Sequence, residues 1–297
     1  MISEVYRKGR DAKEASYVLQ TAGTDVKNKA LAYIADALMA HSDAILSANA
    51  EDLKRAKEKG MAPAMVDRLT LTKERISAMA EGVRQVIDLR DPSGIVLDEF
   101  TRPNGLAIKK VSVPLGVIAI IFESRPNVTV DAAALCIKAG NACVLRGGSE
   151  AIASNTALTS VIRQGLKAAG LPENSVNIIE NTDRALVKEL LTLRGFIDLA
   201  IPRGGAGLIR MVVDTATVPC IETGSGVCHV YVDKDADLSM AVKIVENAKV
   251  SRPSTCNAME TLLVHRDVAK DFLETLAPVM KDDAVELRGD DEARAVS

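Results

Sequence analysis

Cys256 has the chemical surroundings of a nucleophile. It lies in the polar, proline-containing segment 251–257, between an apolar helical pattern and an apolar strand pattern. Lys249 and Arg252 are close in sequence and could stabilise a thiolate, which is the reactive form of a cysteine. The sequence therefore makes Cys256 the candidate nucleophile, with an incidental loop thiol as the alternative.

The remaining cysteines have different surroundings. They are Cys136, Cys143, Cys220 and Cys228. All four lie in or beside apolar segments, where a free cysteine usually behaves as a small hydrophobic residue. Five thinly spread cysteines in a chain of 297 residues indicate reduced thiols and a cytoplasmic protein, since a chain of this length does not need disulfide bonds to fold.

Two arginine–glycine–glycine sequences could hold a phosphate group. They are Arg146-Gly147-Gly148 and Arg203-Gly204-Gly205. Each stands between a strand pattern and a helical pattern, where free backbone N–H groups and the positive end of a helix bind phosphate. The dinucleotide pattern G-x-G-x-x-G is absent, because segment 205–210 lacks its last glycine. Both sequences are candidates for a nucleotide site, with tight turns as the alternative.

Glu222 is the candidate general base. It lies in the glycine-rich segment 221–226, where a carboxylate could accept a proton or be a solvated loop charge. The Cys228-His229 pair lacks the ligand spacing of a zinc site, so no metal is expected. A cysteine–histidine hydrolase would require His229 or His265 to reach Cys256, and His265 is explained more simply as a surface residue.

The elements that must position these residues begin with helices. Apolar residues at helical spacing over 31–39 and 72–89 predict helices. The sequence at 91–94, Asp-Pro-Ser-Gly, ends this helical region. A turn sequence at 102–105, followed by two lysines between apolar flanks over 106–113, predicts a partly exposed β-hairpin.

Short apolar runs alternate with helical patterns in the rest of the chain. Strands are predicted at 117–122, 142–145, 176–179, 199–201, 227–232 and 260–265. Helices are predicted at 128–138, 151–168, 183–193, 208–213 and 238–250. Strands that alternate with helices indicate βαβ units, so the sequence predicts an α/β fold built on a parallel sheet.

Composition excludes several classes of function. The chain has 37 Lys+Arg and 40 Asp+Glu, and a net charge of −3 does not provide the basic face that nucleic acids or anionic membranes require. Four Phe, four Tyr and no Trp are too few for stacking platforms that bind single strands. The longest apolar run, 113–122, is about half of the ~20 residues in a membrane span. No signal peptide is expected, because the first residues lack an apolar core.

Ordered blocks along the chain carry a family resemblance. They are 114–127 (PLGVIAIIFESRPN), 138–148 (KAGNACVLRGG), 201–205 (IPRGG) and the Cys256 loop. Together they resemble the aldehyde dehydrogenase superfamily, and most closely its gamma-glutamyl phosphate reductase branch. The resemblance implies a parallel-sheet cofactor domain with N-terminal helices, a β-hairpin oligomerisation element and an incomplete α/β catalytic domain.

The resemblance also implies catalytic roles. Cys256 corresponds to the nucleophile of the superfamily. Asn127 corresponds to the asparagine whose side-chain amide forms the oxyanion hole together with the backbone N–H of that cysteine. Glu222 corresponds to the general base, which activates a water in aldehyde-oxidising relatives. In this branch phosphate takes the place of that water, so Glu222 would instead shuttle protons or hold its loop.

The cofactor residues follow from the same resemblance. Arg146 corresponds to a basic residue beside the adenosine ribose, and the adjacent Gly147 is expected to bind the cofactor as well. Gly204 and Gly205 correspond to the helix start that faces the pyrophosphate. NAD-preferring relatives usually carry a glutamate three residues after the basic position, where this sequence has Ser149. A carboxylate repels a 2′-phosphate and a hydroxyl does not, so the resemblance predicts NADPH as the cofactor.

The implied reaction is the NADPH-dependent reduction of gamma-glutamyl phosphate to glutamate 5-semialdehyde and phosphate, through a cysteine thioester, in proline biosynthesis. Two alternatives stand beside it: an aldehyde-oxidising dehydrogenase that uses Cys256 and Glu222, and a non-catalytic nucleotide-binding fragment. The implied partners are the small-molecule substrate, further copies of the chain in a dimer or larger homo-oligomer, and glutamate 5-kinase as a functional associate.

The expected domain organisation has three parts. Residues 1–94 and 114–250 are expected to form the NADPH-binding domain, 95–113 the oligomerisation hairpin and 251–297 the start of the catalytic domain. Members of the branch continue beyond the position of Ser297, so the rest of the catalytic domain is expected to be absent here. A polypeptide that ends at Ser297 is expected to have little reductase activity.

Overall fold

The computed structural model describes residues 2–222, 224, 226–253 and 255–295. Contacts between residues divide the chain into two compact units, Met1–Thr223 and Gly224–Ser297. Among the described residues, no helix is both long enough and apolar enough to cross a membrane.

Helices occupy the first ninety residues of the first unit. They are α1 (Glu4–Leu19), α2 (Thr24–Ala40), α3 (Ser42–Glu58), α4 (Pro63–Leu69) and α5 (Lys73–Asp88). The predicted apolar stripe of α2 is confirmed at Leu31, Ile34 and Leu38, which are buried in the core, whereas its last residue, Met39, is exposed. The helix predicted at 72–89 is α5, and it begins where Thr72 accepts a hydrogen bond from the Arg75 N–H, an N-cap that satisfies a free backbone donor.

The predicted hairpin is also confirmed. Strands β1 (Val96–Thr101) and β2 (Ala107–Val111) pair antiparallel, with Phe100 opposite Ile108. Gly105 has a φ of +85°, a left-handed conformation that glycine adopts without strain, and this closes the connecting turn. Almost every residue of the two strands is exposed to solvent.

A four-stranded parallel sheet forms the centre of the first unit. Its strands are β3 (Val117–Phe122), β4 (Ala142–Arg146), β5 (Val176–Ile178) and β6 (Leu199–Arg203), in the order β5-β4-β3-β6. All residues of β3, β4 and β5 are buried, as continuous apolar runs in a parallel sheet should be. The helices between and after them are α6 (Asn127–Lys138), α7 (Ile152–Ala168), α8 (Ala185–Thr192) and α9 (Ala206–Thr215).

The segment after α9 runs alongside β6. The Ala200 N–H donates to the Pro219 carbonyl, and the Ile221 N–H donates to the Ala200 carbonyl. Cys220 and Ala200 form an isolated parallel bridge. Because the two segments run in the same direction, Glu222 is level with the carboxyl end of β6.

The second unit has its own small core. Strands β7 (Cys228–Val232) and β8 (Met259–Val264) form a two-stranded parallel sheet, joined by α10 (Leu238–Val250) and followed by α11 (Arg266–Asp282) and α12 (Asp291–Arg294). Val245, Phe272 and Leu276 are fully buried between these elements. The strand predicted at 227–232 thus pairs with β8 and not with the four-stranded sheet, and the expected domain boundary after residue 250 falls between α10 and β8.

Candidate active site

The carboxyl edge of the four-stranded sheet gathers most of the predicted site residues. Asn127 begins α6 just after β3, Ser149 follows β4, and Gly204 and Gly205 lie between β6 and α9. Glu222 is level with the same end of β6. The strand order reverses between β3 and β6, since the chain first proceeds from β3 to β4 and β5 and then returns to the other side of β3. Ligands of open α/β sheets bind in the crevice at such a reversal.

A carboxylate occupies the amino end of α9. The Gly205 N–H donates to Glu123 Oε2 at 3.0 Å, and Glu123 directly follows β3. Gly204 leaves room for this contact, because a Cβ there would lie 2.7 Å from both Glu123 Oε2 and Leu208 Cδ2. A negative charge at the amino end of a helix is stabilised by the free N–H groups and the helix dipole. The amide predicted to face a pyrophosphate therefore holds an acidic side chain of the same chain.

Arg146 stabilises the turn that follows β5 by hydrogen bonding to its backbone. Its guanidinium donates to the carbonyl of Thr182 at 2.9 Å and to the carbonyl of Gly147, and only 5% of the residue is exposed. Burial lowers the pKa of Arg146, and the nearby carboxylates, Glu150 foremost, offset part of that effect. Arg146, predicted to be a basic residue beside the ribose, is thus a buried cation that donates to two main-chain carbonyls.

Ser149 is the exposed residue of the turn after β4, where it begins a short 3-10 helix, Ser149–Ala151. The next residue, Glu150, turns away to accept hydrogen bonds from the backbone N–H of Ser124, at 2.9 Å, and from its hydroxyl, at 2.5 Å. Burial raises the pKa of Glu150, but the hydrogen bonds from Ser124 and the charge of Arg146 outweigh it, so its pKa is lowered overall. The hydroxyl of Ser149 is thus left as the polar group facing solvent.

Gly147 permits this turn because it is packed too tightly for a side chain. A Cβ at this position would lie 2.2 Å from Asn155 Nδ2 and 3.1 Å from the ring of Phe122. Asn155 accepts a hydrogen bond from Thr129 at 3.0 Å, while its own buried Nδ2 has no partner among the described residues. A side chain at this buried position would therefore force its neighbours to shift, so glycine is the residue that fits the turn.

Asn127 is exposed at the first position of α6. Its Nδ2 donates to Asp131 Oδ2 at 3.0 Å, four residues further along the helix. Removal from solvent raises the pKa of Asp131, and the hydrogen bond from Asn127 offsets part of this rise. An amide nitrogen carries two hydrogens, so Asp131 orients the side chain and leaves one N–H free to donate.

Cys256 lies in the second unit, on the turn between α10 and β8, and its side chain is exposed. The turn is held by the Thr255 N–H, which donates to the Arg252 carbonyl at 3.1 Å, and by the Ala258 N–H, which donates to the Thr255 carbonyl at 3.2 Å. Lys249, expected near the thiol, donates to the Met259 carbonyl at 3.2 Å. Ser254 in this loop lies outside the described residues, as do Thr223 and Ser225 in the segment of Glu222.

The structure thus sorts the predicted residues into two groups. Asn127, Ser149, the Gly204–Gly205 pair and Glu222 share the carboxyl edge of the sheet in the first unit, whereas Cys256 belongs to the second. Sequence reasoning missed Glu123 and Glu150. For Glu123, the signal in the sequence was its position: an acidic residue directly after the fully apolar strand β3, at the sheet edge where ligands bind. No group of three metal-binding side chains occurs within the described part of the chain.

Comparison with known proteins gives consistent matches over the whole chain. The profile of the aldehyde dehydrogenase family matches residues 3–294. A gamma-glutamyl phosphate reductase of Moorella thermoacetica is 56% identical over 293 residues, which are 99% of this chain and 70% of that protein. The crystal structure of gamma-glutamyl phosphate reductase from Thermotoga maritima matches with a TM-score of 0.89 and 48% sequence identity. This match covers 99% of this chain and 71% of the Thermotoga chain. The crystal structure of the enzyme from Saccharomyces cerevisiae has a TM-score of 0.69 and 34% sequence identity. This match covers 99% of this chain and 74% of the yeast chain.

Proposed function

The chain belongs to the aldehyde dehydrogenase family of oxidoreductases, and from this premise we propose that it reduces gamma-glutamyl phosphate to glutamate 5-semialdehyde and phosphate, with NADPH, in proline biosynthesis. The observation that carries the proposal is the 56% identity to a gamma-glutamyl phosphate reductase across 99% of the chain. The exposed Cys256 and the ligand-binding edge of the sheet supply the chemistry that such a reaction needs.

Cys256 acts as the nucleophile. Its thiolate attacks the acyl carbon of gamma-glutamyl phosphate, a carbon–sulfur bond forms, and the carbon–oxygen bond to phosphate breaks as phosphate leaves with the electron pair. The exposed turn gives a substrate access to the thiol. Arg252, exposed in the same loop, provides a positive charge for the departing phosphate. A thiol nucleophile must stay reduced, which supports a cytoplasmic location.

Asn127 stabilises the oxyanion of the tetrahedral intermediate. The N–H that Asp131 does not use donates to this oxygen, together with the backbone N–H of Cys256. No residue in the described part of the chain accepts a hydrogen bond from that backbone N–H, which supports its availability. Donors that are already oriented lower the barrier because they need no reorganisation when the charge develops.

The residues at the sheet edge fit a dinucleotide. The backbone N–H groups at the start of α9, Gly204 and Gly205, would hold the pyrophosphate, and the turn after β4, which contains Gly147, would contribute to the same site. Ser149 would lie beside the adenosine ribose, and Arg146 supports this region through its buried guanidinium, which donates to the carbonyls of Gly147 and Thr182. The preference for NADPH rests on Ser149, because Glu150 is turned towards Ser124.

When bound, NADPH would supply the hydride that reduces the thioester carbon. The sulfur of Cys256 then leaves that carbon with its electron pair, so the aldehyde is released and the thiolate is restored. Water must be kept from the thioester, because hydrolysis would waste the intermediate. Glu222 therefore serves in proton transfer and not in the activation of water.

The hairpin supports an oligomeric assembly. Leu97, Phe100 and Leu106 are 59%, 45% and 57% exposed, and exposed apolar side chains on a two-stranded ribbon favour an interaction surface. A second copy of the chain covers this surface in the proposed homo-oligomer.

Glutamate 5-kinase is the proposed source of the substrate, because an acyl phosphate is formed by phosphoryl transfer to a carboxylate.

The reverse reaction tests the function. Glutamate 5-semialdehyde and NADP⁺ should yield NADPH only when inorganic phosphate is added, since phosphate is the acceptor that releases the thioester. The Cys256→Ala variant should be inactive, whereas Cys220→Ala, a change at a cysteine outside the mechanism, should retain activity. NADPH formation at an equal rate without phosphate would instead identify an aldehyde-oxidising dehydrogenase and contradict the proposal.

A further inference from the structure

A second cysteine contacts the main chain of Cys256. The thiol of Cys228, the first residue of β7, donates to the Cys256 carbonyl oxygen at 3.4 Å. Both residues belong to the second unit, and the pairing of β7 with β8 places Cys228 opposite Met259, three residues after Cys256. Cys256 is exposed and Cys228 is half-buried, whereas Cys136 and Cys143 are buried.

We propose that Cys228 and Cys256 form a reversible disulfide under oxidising conditions, with Cys228 as the resolving thiol. A disulfide requires Cα atoms about 4.4–6.8 Å apart and side chains that can face each other. The sulfur of Cys228 already touches the backbone of Cys256, so a rotation of the Cys256 side chain and a small adjustment of its turn bring the two sulfur atoms together. That turn is a surface loop, which can adjust without disturbing the core of the unit.

The oxidation balances with a peroxide as the oxidant. The Cys256 thiolate attacks hydrogen peroxide, the O–O bond breaks, and sulfenic acid and hydroxide form. The Cys228 thiolate then attacks the sulfenic sulfur, and the hydroxyl group leaves as water with one proton. The two thiols together give two electrons to the peroxide. An added dithiol reverses the modification by thiol–disulfide exchange.

Without Cys228, the sulfenic acid would meet further peroxide and form sulfinic acid, which a dithiol does not reduce. Cys228 would therefore protect the nucleophile by converting a permanent loss of the thiol into a reversible one. Formation of the disulfide does not depend on the proposed function. Its effect on activity does, because that effect requires Cys256 to be the nucleophile.

Peptide mapping tests the disulfide directly. The protein is treated with hydrogen peroxide, remaining thiols are blocked with iodoacetamide, and the unreduced digest is analysed by mass spectrometry. We expect a linked pair of peptides containing Cys228 and Cys256, which disappears after dithiothreitol. In C228S, the linked pair should be lost and Cys256 should be recovered as sulfinic acid. In C220S, a matched change at a half-buried cysteine of the first unit, the link should form as in the wild type.

Two results would overturn the proposal. One is the absence of the Cys228–Cys256 link in protein whose circular dichroism is native. The other is an equal rate of sulfinic acid formation at Cys256 in the wild type and in C228S. Neither readout requires turnover, so a failure here is distinct from a failure of the reductase reaction, which the phosphate requirement tests.

Discussion

The carboxylate of Glu123 competes with the cofactor for the amino end of α9, so its removal should strengthen NADPH binding. Glu123 accepts the Gly205 N–H at 3.0 Å, at the amide assigned to the pyrophosphate. A bound pyrophosphate must displace this carboxylate or share the helix end with its negative charge. The Glu123→Gln substitution keeps the size of the side chain and an acceptor oxygen but removes the charge.

The magnitude follows from the charge–helix interaction. A charge at an exposed helix end contributes about 0.3–1 kcal/mol, which corresponds to about a twofold to fivefold change in Kd. Glu123 is exposed, so this range applies and not the larger value of a buried charged hydrogen bond. We expect the Kd for NADPH to fall by at least about twofold in Glu123→Gln. The melting temperature should fall slightly, because α9 loses its charged cap.

NADPH fluorescence titration at a fixed, low ionic strength measures this effect. The matched control is Glu173→Gln, which makes the same charge change just before β5, at the opposite edge of the sheet. Its Kd should equal that of the wild type. Unchanged or weaker NADPH binding in a folded Glu123→Gln variant would refute the placement of the pyrophosphate at α9.

Three further substitutions test other parts of the site. Gly147→Ala should lower stability by about 1–3 kcal/mol in a denaturant titration, because its Cβ would lie 2.2 Å from Asn155 Nδ2, whereas Gly82→Ala, with open space around it, should not. Ser149→Glu should shift the ratio of NADPH to NADH affinity towards NADH, and an unchanged ratio would contradict the role of Ser149. Asn127→Ala should slow acylation of the nucleophile by about 10²–10³-fold while the Kd for NADPH stays constant; an unchanged acylation rate would remove Asn127 from the oxyanion hole.

The fold was largely predictable where burial leaves a clear pattern. The strand at 117–122 coincides with β3, because a parallel strand covered on both faces is a continuous apolar run. The same pattern did not show that β7 pairs with β8 in a separate unit, since a strand in a two-stranded sheet and one in a larger sheet have similar sequences. Which strands pair is set by contacts between distant segments and not by local periodicity.

The candidate site was predictable in its location and less so in its contacts. The two arginine–glycine–glycine sequences were predicted to lie where a strand gives way to a helix, and Gly148 and Gly205 do follow β4 and β6 at one sheet edge. The hydrogen bond from Gly205 to Glu123 joins residues 82 apart in sequence, so no local pattern reveals it. No local pattern indicates that the guanidinium of Arg146 is buried, because the carbonyls to which it donates belong to Gly147 and to the distant Thr182.

Acylation of Cys256 is the most direct test of the proposed chemistry. The protein is mixed with gamma-glutamyl phosphate, generated by glutamate 5-kinase with ATP and glutamate, in the absence of NADPH, and is then quenched in acid and digested. The mechanism predicts a glutamyl group on the Cys256 peptide, released by hydroxylamine and absent from Cys256→Ser. A native protein that releases phosphate while Cys256 stays unmodified, or that carries the glutamyl group on another cysteine, would contradict the assignment of the nucleophile.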